Sequence, residues 1–175
     1  HVAASAGLRL RPGSLDPVFD AAVWDLTGLA DAPVVMGEHR KILDFTAIAN
    51  PLWRTVAREY LLARMAPQLP AVATLPGAFR TPLNPNTLWN ELKHLALWLN
   101  FLTGVGVVSL DAVTQEHCDD YLARARRSTT DPSRTLSPAA IVPKVRIMQS
   151  LALYSEILSD RYRPGFRPWG GRSAD

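Results

Sequence analysis

Between residues 50 and 159 the apolar positions fall into four helical stripes separated by turn residues. In "NPLWRTVAREYLLARMA", Leu52, Val56, Tyr60 and Ala63 recur at spacings of three and four, the period of one helix face. Asn50 suits the cap of that helix and Pro51 its first turn, where the missing amide costs nothing. Arg54, Arg58 and Arg64 are then expected on the opposite, solvated side. "PQLPAVATLPGAFRTPLNP" carries too much proline to continue and predicts a long irregular connection. The clearest helix follows in "NTLWNELKHLALWLNFL", residues 86–102, with Leu88, Leu92, Leu95, Leu99 and Leu102 inward and Gly104 and Gly106 as stops. A third helix is "QEHCDDYLARARR", capped by Thr114. After the polar turn "STTDPSRTL", Ser137 and Pro138 open a fourth that runs to about Ser159. It faces inward with Ile141, Val145, Met148, Leu151, Ala152 and Leu158, and Pro143 should kink it or reset its start.

Residues 1–45 have no sustained period and predict an extended arm, pinned to the body by Phe19, Trp24 and Leu26. Residues 161–175, "RYRPGFRPWGGRSAD", have the composition of a basic linker. No strand alternation survives a count. The expected fold is therefore all-α: about four principal helices over residues 46–160, preceded by the arm and followed by the linker.

Composition narrows the class. A hydrophobic fraction of 47% beside 20% charged residues fits a folded domain rather than a disordered one. No apolar run approaches the roughly 18 residues that cross a membrane, and the N-terminus lacks the order of a signal peptide. One cysteine, Cys118, excludes an internal disulfide framework and suits a reducing cytoplasm. The net charge is only +3, but it is unevenly spread. Residues 1–123 hold nine Lys/Arg against twelve Asp/Glu, whereas residues 124–172 hold ten against three. Such a gradient points to an acidic partner for the C-terminal part, nucleic acid being the commonest, although a solvated basic face has the same composition.

Catalytic signals are weak. His117 and Cys118 are neighbours on a helix and point about 100° apart, so they do not form a thiolate pair. The four histidines lack zinc-ligand spacing. Asp16, Asp20 and Asp25 lack the glycine and terminal glutamate of a calcium loop, and no glycine-rich phosphate loop is present. No cofactor or metal is expected.

Nucleic-acid chemistry is better represented. The second helix opens with Asn86, Thr87, Asn90 and Lys93, and the fourth with Ser137, Lys144, Arg146 and Gln149. Helix N-termini attract phosphates, and Asn, Gln, Lys and Arg one turn further in reach base edges in a major groove. "RARRSTTDPSR" adds Arg124, Arg126, Arg127 and Arg134 as a backbone clamp. Taken singly these residues are equally ordinary caps and solvated side chains. Trp53, Trp89, Trp98 and Tyr121 read as packing rather than base-stacking groups.

The order of segments "DFTAIANPLWRTVAREYLLARM", "NTLWNELKHLALWLNFL", "VVSLDAVTQEHCDDYLARAR", "LSPAAIVPKVRIMQSLALYSEILSD" and "PWGG" resembles the N-terminal core-binding domain of phage-type tyrosine recombinases (integrases). The resemblance covers roughly residues 44–171. It departs from the family at Ala139–Ala140, where a threonine often points at DNA. It implies a small SAM-like helical bundle forming one half of a C-shaped clamp on double-stranded DNA, alongside other recombinase protomers. The catalytic half would follow residue 175, so none of the family's catalytic residues maps here. A bacterial, cytoplasmic, nucleoid-associated setting is implied too. The alternative is a helical protein-interaction or scaffold module with a basic face.

Overall fold

A computed structural model describes residues 1–32, 37–76, 81–127, 130–131 and 133–171. It is mostly helical, with one small two-stranded antiparallel sheet.

The sheet and a first short helix build the N-terminal layer. α1 (Val2–Ala6) is held at its start by Asp16, whose carboxylate accepts from the amides of Ala3 at 2.7 Å and Ala4 at 2.9 Å. β1 (Val23–Asp25) pairs with β2 (Ile42–Asp44), placing Trp24 opposite Leu43. Both are fully buried while their neighbours along each strand face out, the two-residue alternation of a half-buried sheet. Phe45 meets Trp24 edge-on with ring centroids 4.9 Å apart. The pairing lies within residues 1–45, where the sequence leaves strands open, and makes the fold mostly helical rather than all-α. Three-residue strands are too short for alternation to register in sequence.

α2 (Pro51–Met65) starts as its residues dictate: the Asn50 side chain accepts from the Leu52 amide and Pro51 occupies the first turn. Its inward stripe differs in part from the expected one. Val56, Tyr60 and Ala63 are buried as expected, but Leu52 is 62% exposed, and Trp53, Ala57 and Leu61 complete the buried face. Two of its arginines are also inside. Arg58 donates to the Ala21 carbonyl at 3.2 Å and lies over the Phe45 ring, stapling the N-terminal layer to α2. Arg64 forms a two-pronged ion pair with Glu91, at 2.8 and 3.2 Å. The expectation that both decorate a solvated side is thus overturned, because their partners lie far along the chain, beyond what helical spacing reveals.

Among its described residues the proline-rich connection contains a short helix, α3 (Pro70–Ala73); residues 77–80 of the predicted irregular run lie outside them. α4 (Pro85–Gly104) then runs through the middle, against α2, β2 and the two following helices. Leu88, Leu92, Leu95, Trp98, Leu99 and Leu102 are buried along it. Its cap is Asn84, which accepts from the Thr87 amide, with Pro85 in the first turn. α5 (Gln115–Ala125) begins at a capping box in which Thr114 and His117 satisfy each other's amides. α6 (Pro138–Tyr154) continues through Pro143 as one helix and passes into a 3-10 turn at Ser155–Ile157.

The segment after α6 packs on the body. Tyr162 is buried, and its hydroxyl accepts from the Trp98 indole at 3.2 Å. Trp169 donates its amide to Gln115 and its indole N–H to Asp119. It does so in a left-handed backbone conformation, φ 54°, that only a fixed contact justifies for a residue of its size.

Candidate nucleic-acid interface

The polar front of α4 is largely committed to the protein itself. Asn86 Oδ1 accepts from Arg40 at 3.0 Å, and Arg40 also lies over the Trp89 ring, 5.4 Å from its centroid. The Thr87 amide and hydroxyl both reach Asn84 Oδ1. Asn90 donates its side-chain amide to the carbonyl of Asn86, closing one helical turn. Each retains exposed surface, but the hydrogen-bonding atoms named here already have partners. Lys93 differs: it is exposed and has neither a hydrogen bond nor a salt bridge among the described residues.

Lys93 is also where two helices bring charge together. His94, next to it on α4, has its pKa lowered by burial and then by the nearby charges of Lys144 and Lys93. Half-buried Lys144, on α6, is likewise depressed, by burial first and by Lys93 second. Lys93, His94 and Lys144 therefore share one positively charged spot between α4 and α6. Burial and like charge both favour the neutral imidazole. The ring's Nδ1 is buried without a hydrogen-bond partner in the described structure. Sequence reading chose Lys93 and Lys144 separately. Nothing in their spacing signals that they converge, with His94 between them.

Three of the four predicted clamp arginines, Arg126, Arg127 and Arg134, lie on the paired arms that flank the polar turn. Arg127 bridges Thr135 in antiparallel fashion, and the Leu136 amide donates to the Arg126 carbonyl at 2.6 Å. The Arg134 amide donates to Asp131. Arg126, Arg127 and Arg134 are all exposed, and none makes a salt bridge among the described residues. The hairpin leads within two residues to Ser137 at the start of α6, whose side chain makes no capping bond. Arg124 lies over the Phe101 ring at 5.2 Å, with its charge still exposed. Arg146 stands exposed on α6.

Other polar candidates are accounted for by the fold. Cys118 is fully buried, and burial, followed by the charge of Asp119, pushes its thiol up to about 12, which removes the thiolate that nucleophilic attack requires. His117 is a helix cap. Asp16 caps α1, and Asp25 holds Thr27 in a turn. Trp53 and Trp98 are fully buried, as packing groups are.

Compared with protein-family models, curated proteins and solved structures, the chain matches none.

Proposed function

We propose that this chain grips double-stranded DNA through its C-terminal half, as the core-binding domain of a tyrosine-type site-specific recombinase. On this reading its helices form the SAM-like half of a clamp, other protomers share the DNA, and a catalytic half lies outside residues 1–175. The observation that carries the reading is the segregation of basic side chains by role. Arg58 and Arg64 are buried and occupied, whereas Lys93, Arg126, Arg127, Arg134 and Arg146 are exposed without an ion-pair partner among the described residues. Exposed cations without carboxylates suit a polyanion, which supplies the missing charge and releases its own counterions. Lys93 with Lys144 would take one stretch of backbone and the hairpin arginines another. Base contact from Asn86 and Asn90 would first require the exchange of their present hydrogen bonds.

The test is fluorescence anisotropy with a random duplex of about 30 base pairs across a salt series. Log affinity should fall linearly with log salt, each phosphate contact contributing about 0.9 to the slope. Absence of binding at low salt would refute the reading. The second reading, a protein-interaction module, draws on a groove of about 360 Å³ between β2 and α4 where Ile42 and Leu97 are exposed beside Trp89. Under it, duplex binding would be absent and the groove would be the place to look for a partner.

A further inference from the structure

Between Tyr162 and Pro168 the chain forms a loop tied down at both ends. Tyr162 is buried under its bond from Trp98, and Pro168 is buried next to the anchored Trp169. Between them the Phe166 amide donates to the Arg163 carbonyl at 3.0 Å, closing a tight turn. Gly165 occupies that turn at φ 76°, where a side chain is unfavourable. The turn stacks Phe166 on Tyr162, centroids 5.4 Å apart, and draws the Arg163 guanidinium to 5.6 Å from the Phe166 ring.

The concave side of this loop, with the end of α6, encloses a pocket of about 420 Å³. Arg161, Arg163 and Arg167 line it, and Glu156 is the one carboxylate on its wall. None of the three arginines makes a salt bridge among the described residues, and residues 161–171 contain no acidic side chain. Arg161 spends its Nε on the Leu158 carbonyl, which fixes its stem and leaves its terminal amines. The three arginines are solvent-exposed and face a single carboxylate, which leaves the concavity with an excess of positive charge. Their planar forks match the oxygens of a phosphoryl group better than they match a lone halide. A pocket of this volume falls in the range of small-molecule sites.

We infer that the loop at residues 161–167 is a built phosphate-binding pocket, in which Arg161, Arg163 and Arg167 hold a phosphoryl group beside the Phe166 ring. The phosphoryl group comes from a free phosphorylated compound or from a nucleic-acid backbone. The site does not depend on the duplex-binding reading, because it rests on a separate cluster of arginines.

The probe is inorganic pyrophosphate, titrated at constant ionic strength while the arginine Nε–H and backbone resonances are followed by NMR. Saturable shifts confined to residues 161–167 are expected. R163Q/R167Q should weaken binding about tenfold or more, since hydrogen bonds to charged groups are lost. An unchanged Trp169 indole resonance would report that the loop remains docked in that variant. Glu156→Gln should tighten binding by removing the opposing charge. Random duplex is then added to the pyrophosphate complex. Displacement assigns the source as nucleic-acid phosphate; retention assigns it as a free phosphorylated compound. Either outcome supports the pocket, and pyrophosphate binding without any duplex binding would sink only the DNA reading. Shifts that do not saturate, that spread equally to Arg126, Arg127 and Arg134, or that persist in R163Q/R167Q would overturn it.

Discussion

The arginines of α2 and those of the hairpin before α6 have the same side chain in opposite circumstances. Arg64 is 5% exposed, and its guanidinium is satisfied by Glu91 and by the Tyr154 hydroxyl. Burial alone would lower its pKa, but the hydrogen bonds to Glu91 and Tyr154 and the nearby negative charge outweigh that and raise it. Arg58 fastens the N-terminal layer to the helix. Arg126, Arg127 and Arg134, by contrast, are held by their backbone alone, with their charged ends in water. A buried cation is kept because removing it strands its partner; an exposed, unpaired one contributes little to folding. Among the described residues the hairpin arginines have no ion-pair partner, and the proposed binding role rests on that contrast.

The comparison breaks most visibly at Arg64. Arg64→Ala leaves Glu91 without its cation and should cost about 3–5 kcal/mol of stability, read from the urea midpoint. A cost below about 1 kcal/mol would place Arg64 with the exposed group. The triple change of Arg126, Arg127 and Arg134 to Ala should do the reverse. It should lower the salt slope of duplex binding by up to about 2.7 while moving stability by no more than about 0.5 kcal/mol per site. Asn84→Ala removes a helix cap and should cost about 1 kcal/mol with no change in the salt slope, separating a structural polar residue from the hairpin group.

The smallest effect concerns His94. Its pKa is depressed in the folded protein, so the unfolded chain takes up a proton first as pH falls. Stability should therefore be fullest above the ordinary histidine value near 6.5 and decline as pH drops from there through the folded pKa. Lys144→Met removes one source of the depression, and the His94 titration followed by NMR should move upward. An unmoved titration would mean that Lys144 and His94 do not share one charged spot.

Most helices were legible because their signals are local. Asn50 with Pro51, Thr114, Gly104 and the leucine spacing of α4 all act within a few residues. What escaped depends on distant partners. On α2 the expected Val56, Tyr60 and Ala63 are buried, but the stripe begins at Trp53 rather than Leu52; periodicity marks a stripe without fixing its edge. α4 begins one residue before the 86–102 stretch, since Pro85 joins its first turn and Asn84 caps it. The sheet rests on Trp24 and Leu43, nineteen positions apart, in strands of three residues each. In the candidate site, residue types were legible but their company was not. Asn86 carries no mark of Arg40, nor Lys93 of Lys144, because those meetings are made by packing. The docking of the tail was equally hidden, since Trp98 and Tyr162 are 64 residues apart.

The edge-on contact of Trp24 and Phe45 has a consequence for how this chain divides. Both rings come from the first 45 residues, both are fully buried, and Phe45 lies under Arg58 of α2. The stretch that looks like a detachable appendage thus supplies part of the body's own centre. Grafting the helices onto another protein from residue 46 onward would transplant a shell around a hole. The unit that can be moved, shuffled or inherited intact begins with the N-terminal layer included.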